Sequence, residues 1–363
     1  MNIEFKKYAY GIVYALPCIY LFIGYWWLGN PELSLVPYLI PLIVFGLIPV
    51  VDWFLGKDPV NPNEGDQVDQ LISESFYYWL TRAAVPIYLA TIAGGAYVFV
   101  QQPMTYWQQA GWLFSMGTLG GILAINVGHE LIHKASRIDQ WCGGILLSSV
   151  LYSGFKVEHV RGHHVWVSTP KDASSSRFGQ SLYAFLPNAY VKNFVNGWRL
   201  EAARLASKGL PALSWRNELI WWNALSIVMA VLITYWLGVG GLVFFLVQGA
   251  IAFTFLEIIN YIEHYGLHRR KLGSGRYERT DITHSWNSNY LLTNLLLFQL
   301  QRHSDHHAYP KRPYQVLRHH EESPQLPAGY ATMVLVALLP PLWFRLMNPR
   351  VDRYYQSSHR EDG

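Results

Sequence analysis

Residues 111–133 read GWLFSMGTLGGILAINVGHELIH. The stretch is apolar over about the 20 residues a helix needs to cross a bilayer, and it then closes on two histidines. Polar groups at the end of a span are costly, and their presence there points to function. The stretch therefore predicts a transmembrane helix with chemistry at one end.

Five further stretches share that length and apolarity: Tyr8–Gly29, Leu35–Gly56, Ala84–Gln101, Leu219–Leu237 and Leu242–Glu263. A weaker one, Ala331–Met347, carries Pro340, Pro341 and Arg345. It reads as an interfacial or protein-buried helix rather than a seventh span. The expected fold is an all-α membrane protein. It is a six-helix transmembrane bundle forming a single domain over 1–363, with a histidine-rich cytoplasmic cap at 134–218 and 264–363. Composition agrees, since only 14% of residues are charged against about 25% in soluble domains. The two cysteines, Cys18 and Cys142, provide neither a disulfide framework nor a cysteine-rich metal site. The first apolar stretch is too long for a cleaved leader and is read as a true span. Asp58–Glu64 is a turn-rich loop.

Charge orients the bundle. The connections Asn30–Ser34, Gln102–Ala110 and Gly238–Gly241 contain no Lys or Arg, and Glu32 is their one charged residue. All 28 Lys and Arg lie in the N-terminal tail, the 57–83 loop, the 134–218 loop or the tail after Glu263. An even number of spans puts those four segments on one side, which the positive-inside rule makes the cytoplasm. A bacterial-type inner membrane is the expected location. The positive face serves orientation and lipid headgroups, or it attracts an acidic soluble partner. No nucleic-acid partner is expected.

Nine of the 14 histidines fall in four groups on that side. They are His129 and His133; His159, His163 and His164; His264; and His303, His306 and His307. Neutral imidazole suits Fe, Zn, Cu and Ni, and one such ion takes about four to six donors. Nine donors therefore imply two metals. A ligating imidazole also needs a partner for its second ring nitrogen. Glu130, Glu158, Glu263, Asp305 and His284 are the candidates, and direct ligation by a carboxylate stays open. His268, His319, His320 and His359 read as ordinary polar residues. His129-Glu130-Leu131-Ile132-His133 also matches the HExxH of zinc metalloproteases, which would leave six histidines unused. A non-catalytic metal transporter is a further alternative, although the spans are apolar away from their cytoplasmic ends.

The three boxes His129–His133, His159–His163-His164 and His303–His306-His307 resemble those of the integral-membrane di-iron family. That family includes alkane hydroxylases, fatty-acid desaturases and xylene monooxygenases. The segments Asn260-Tyr261-Ile262-Glu263-His264-Tyr265-Gly266 and Leu300-Gln301-Arg302-His303-Ser304-Asp305-His306-His307 look like the alkane-hydroxylase branch, as does His284-Ser285-Trp286-Asn287-Ser288-Asn289. Ile132 departs from the glycine often found there and removes no donor. The resemblance implies two iron ions held by the nine histidines, and electrons from rubredoxin with a rubredoxin reductase upstream. It implies dioxygen and a medium- to long-chain n-alkane as substrates, and a primary alcohol as product. A desaturase or fatty-acid hydroxylase with the same site is the nearest alternative.

An alkane has no polar handle, so its recognition must come from apolar burial, about 0.8 kcal/mol per methylene. Gly117, Gly120 and Gly121 in the fourth span either line a substrate channel or permit close helix packing. Lys134, Lys156, Arg161 and Lys171 are the expected docking residues for the electron carrier.

Overall fold

The computed structural model describes residues 3–28, 35–58 and 60–361, with side chains through 356. Gly29, the Asn30–Ser34 connection with Glu32, and the His359 side chain lie outside the described residues. The described residues form helices joined by loops, with only isolated β-bridges and no strand.

Helices α1 (Ile3–Leu28), α2 (Val36–Leu55) and α5 (Tyr106–Ile132) are each apolar and long enough to cross a bilayer. Thr105 and Gln108 form a capping box that starts α5. Between α2 and α5 come a short α3 (Asp66–Ser73) and the long α4 (Ser75–Gln101). Helix α4 begins nine residues before the span expected from Ala84. Aromatic and polar residues at 76–82 dilute the apolar signal there, yet they are satisfied in place. Arg82 donates to Asp139 of α6 (Arg137–Ser149) at 2.6 Å. Trp79 is exposed, as befits an interfacial aromatic.

Two expected spans form one element, α9 (Glu218–His264), of 47 residues. Straight, it would extend about 70 Å, more than twice a bilayer's hydrocarbon core. It is instead a hairpin that turns at Gly238, with φ 66° and ψ −159°. Ser226 donates to the Ser148 carbonyl, while Gln248 donates to the adjacent Ser149 carbonyl. The two arms therefore reach the same turn of α6. A Cβ on Gly241 would stand 2.9 Å from the Ile233 carbonyl oxygen, which again requires the chain to double back.

Small residues bring the spans together. A Cβ on Gly117 would meet Ile251 at 2.4 Å, one on Gly120 would meet Ala252 at 2.7 Å, and one on Gly144 would meet Trp222 at 2.4 Å. The weak stretch near residue 340 is two helices, α12 (Tyr330–Ala337) and α13 (Pro340–Glu361), bent by 119°. Pro340 suits the first position of a new helix, where its missing N–H costs nothing. Met333, Val334, Trp343 and Met347 are buried against Tyr261 and Tyr265, so this stretch packs on protein.

Loops on the side away from Gly238 carry the cap. Helix α7 (155–166) and α8 (Leu182–Ala206) follow α6; α10 (Leu291–Leu296) and α11 (His303–Ala308) follow α9. The Gly238 conformation lies in a region open essentially to glycine alone. Gly238→Val is expected to cost about 1–3 kcal/mol, read as a lower melting temperature in detergent. Gly11→Ala, where an added Cβ meets nothing within 4 Å, should show no loss.

Candidate metal centre

The nine histidines converge into two groups. His129, His133, His159, His164 and His306 form one; His163, His264, His303 and His307 form the other. Within each group one ring nitrogen per residue lies within 4.8 Å of all the others. All nine are buried except His133 and His164, which are partly exposed.

Local helix geometry deals the ligands out. His129 and His133 are four apart at the end of α5, and His303 and His307 four apart on α11, so each pair shares a face. Residues His159–His163 form a π turn, whose i→i+5 spacing lets His159 and His164 point the same way. His163 is left to face the second group. His306, adjacent to His307, turns to the first.

The spacing of the ring nitrogens is one that metal donors would show. Nε2–Nε2 separations are 3.0 Å for His159–His164, 3.1 Å for His164–His306, 2.9 Å for His303–His307, 3.2 Å for His163–His307 and 3.3 Å for His264–His303. Donors about 2.1 Å from an ion and at right angles lie roughly 3.0 Å apart. Nε2 of both His129 and His133 is buried without a hydrogen-bond partner. Burial first, and neighbouring imidazoles second, push His159, His164, His303, His306 and His307 well below the ordinary histidine range. The rings are therefore neutral, the form a metal requires. The donor set fits a pair of metal ions.

The second ring nitrogens are held by fewer partners than the sequence suggested. His163 Nδ1 donates to Asp172 Oδ2 at 2.9 Å. A carboxylate only accepts, so Nδ1 carries the proton and Nε2, facing His307 at 3.2 Å, is the nitrogen left to serve as a metal donor. Asp172 is itself fixed by Ser175 Oγ at 2.6 Å and by the Ser174 N–H at 3.1 Å. His264 Nδ1 faces Ser285 Oγ at 3.4 Å. Neither Asp172 nor Ser285 was singled out in the sequence. Asp172 sits in a Ser-rich turn without periodicity, so only folding reveals its role.

Among the expected supporting residues, Glu263 reaches a cluster histidine, but at the nitrogen that faces the other donors, with Oε2 3.1 Å from His303 Nε2, where it is placed as a further donor rather than as a partner for the second nitrogen. Its other oxygen accepts from Tyr330 at 2.6 Å. The others have different partners. Glu130 takes Lys134 at 2.9 Å and the Tyr314 N–H at 3.2 Å, which also removes it from the general-base role of a zinc protease. Asp305 binds Arg312, the Arg318 N–H and His320, tying down the loop after the last box. His284 lies between Glu278 and Asp281, outside both groups. Glu158 is buried beside Gly162, and its Oε1 has no hydrogen-bond partner.

The expected docking residues are largely spent within the protein. Lys134 pairs with Glu130, Lys156 with Glu218, and Arg161 with both Glu201 and Glu218. Lys171 is exposed. Gly117 and Gly120 serve helix packing. Gly121 alone of the three glycines lines an apolar cavity that runs between α2, α5 and α9 and ends on His129, His159, His303 and Glu263. Two π turns, Ile43–Leu47 and Gly120–Ile125, border it. At the far end Phe45 stacks 5.5 Å from Phe255 and 6.3 Å from Phe114.

The fatty acid desaturase family matches residues 104–337 of this chain. Alkane 1-monooxygenase 2 of Pseudomonas aeruginosa is 54% identical over 97% of this chain and 94% of its own length. Alkane 1-monooxygenase 2 of Alcanivorax borkumensis is 58% identical over 86% of this chain and 82% of its own. The hydroxylase component of xylene/toluene monooxygenase of Pseudomonas putida is 27% identical over 93% of this chain and 87% of its own. A histidine-lined metal centre opening into an apolar membrane cavity accords with these relatives, and the chain belongs to the alkane 1-monooxygenase family.

Proposed function

We propose that this chain hydroxylates the terminal carbon of medium- to long-chain n-alkanes with dioxygen, at two irons held by the nine histidines. Rubredoxin supplies the electrons, and the cap and both termini face the cytoplasm of an inner membrane. The observation that carries this reading is the apolar cavity, whose inner end touches histidines of both groups.

From Thr118 to His129 the cavity follows eleven residues of helix, about 16 Å. An alkane dissolved in the bilayer enters without losing polar contacts, and burial of its methylenes holds it. Two polar groups of the wall are engaged by the protein: Thr293 donates to Asp52, and Asn260 donates to Glu257 at 3.2 Å. The Asn126 amide nitrogen, also on the wall, has no hydrogen-bond partner among the described residues. The aliphatic and aromatic side walls hold the chain by contact, and its end is presented at His129, His159 and His303. The irons, when bound, supply the oxygen chemistry: one oxygen atom enters the C–H bond, and the other leaves as water with two electrons and two protons. Asp172 holds the tautomer of His163, and Tyr330 orients Glu263 against His303.

The decisive experiment measures iron per chain in purified protein and primary alcohol formed from octane or dodecane with reduced rubredoxin and oxygen. Two irons and a terminal alcohol are expected; iron without alcohol from any alkane overturns the reading. His264→Ala should retain membrane insertion, lower the iron content and lose hydroxylation by about 100-fold or more; full activity removes His264 from the site. Asp172→Asn keeps the size but not the charge, and should cost about 10–100-fold in metal affinity or activity. Phe45→Ala opens the far end of the cavity. Longer alkanes should gain preference by roughly fourfold per additional buried methylene, read from competition between chain lengths; an unchanged profile shows that Phe45 is not the end wall.

A further inference from the structure

One short element of the cap is densely basic. Residues 268–279 read HRRKLGSGRYER, five cations against one carboxylate. They form a tight reversal: the Leu272 N–H donates to the Arg276 carbonyl at 2.8 Å, and the Gly275 N–H to the Leu272 carbonyl at 2.9 Å. Glu278 is used internally, by Arg270 at 2.8 Å and by His284 at 3.2 Å. Lys271, Arg276 and Arg279 are exposed and make no ion pair among the described residues.

This reversal is fastened to the second histidine segment. Arg269 Nη1 donates to the Val165 carbonyl at 2.9 Å, and the Arg269 N–H donates to the Ser168 carbonyl at 2.8 Å. Val165 directly follows His164 and is 53% exposed. Lys171, also exposed, lies three residues beyond Ser168. The basic reversal is thus joined through Arg269 to the exposed Val165, next to a residue of the metal centre. Lys134, Lys156 and Arg161 are by contrast each ion-paired within the protein.

We propose that residues 268–279, with Lys171 and Val165, are the docking face for a small acidic one-electron carrier protein. The inference rests on the function proposed above, whose reaction takes two electrons and two protons per alkane and dioxygen. The carrier gives one electron per visit and departs oxidised. Complementary charge would steer its approach and fix its orientation. The foot of the reversal places it over the edge of the second histidine segment.

The test uses the full chain in nanodiscs of zwitterionic lipid and an acidic rubredoxin. The triple variant Lys271→Glu, Arg276→Glu, Arg279→Glu is compared with Lys192→Glu, Arg199→Glu, two exposed cations on α8. The triple variant should weaken the dissociation constant for rubredoxin by about tenfold or more, flatten its dependence on salt, and leave iron content and dithionite-driven alcohol formation unchanged. The α8 variant should bind as the unaltered chain does. An unchanged dissociation constant in the triple variant overturns the proposal. So does equal weakening in both variants, which would indicate a diffuse field. A triple variant that keeps rubredoxin but loses binding to phosphatidylserine vesicles assigns the reversal to lipid and overturns it too. If the unaltered chain makes no alcohol with dithionite, the functional reading fails, while the binding measurement still decides the docking face.

Discussion

Nine imidazoles crowded together, all buried but the partly exposed His133 and His164, are the constraint to which the rest of the structure responds. Burial pushes His159, His164, His303, His306 and His307 toward the neutral form, in which each ring keeps a lone pair that needs a proton or a metal ion to satisfy it. Adjacent Nε2 atoms at 2.9–3.3 Å compete for too few protons to hold that geometry by hydrogen bonds alone. Bound metal ions would resolve the conflict by accepting these lone pairs. The binding energy of such ions is then also folding energy for the cap, because the segments bearing the rings come from distant parts of the chain.

The segments are held in register by a second buried network. Arg302 precedes His303 and is fully buried. Its guanidinium donates to the carbonyls of Asp58, Val60 and Leu317 and to Asn61, Asn289 and the Asp58 carboxylate. Asp58 also pairs with Lys6 from the first helix. A buried charge is tolerable only when its hydrogen-bonding groups are satisfied, and here all five guanidinium donors are engaged. The network ties the final histidine box to the loop after α2 and to α1. The last box is thereby positioned by the membrane bundle rather than by its own six-residue helix.

Much of this was legible in the sequence, for physical reasons. A span needs length and apolarity, and both are local, so the membrane character and most helix positions followed from composition. The histidines stood out because polar rings at span ends are expensive. What escaped reading depends on contacts between distant segments. Asp172 supports His163 only once the Ser-rich turn folds over it. Glu130 and Asp305 looked like partners of adjacent ligands, yet helix geometry points a neighbour's side chain elsewhere, and basic residues claim both. Lys134, Lys156 and Arg161 looked free because the carboxylates that neutralise the last two are some 40–62 positions away. The start of α4 was missed because a polar sequence at an interface reads as a loop until Arg82 finds Asp139.

The polar demands of the centre fall unevenly around it, and that asymmetry gives the site its directions. Glu158, Asp172 and Glu257 are buried on the flank of His163, with Asn193 bridging Ser174 and Glu257. The opposite flank, at His129, His159 and His303, faces aliphatic and aromatic walls. A centre surrounded equally by carboxylates would admit water to solvate them and would forfeit the apolar contacts that hold a hydrocarbon. A centre surrounded only by apolar groups would leave ring nitrogens such as His163 Nδ1 without acceptors. Three carboxylates lie on the His163 side, and the cavity opens on the other side, where Glu263 beside His303 is the carboxylate on its wall. The π turns in α2, α5 and α7 are the local departures from α-helix that make this division possible, two bordering the cavity and one parting His163 from His159 and His164.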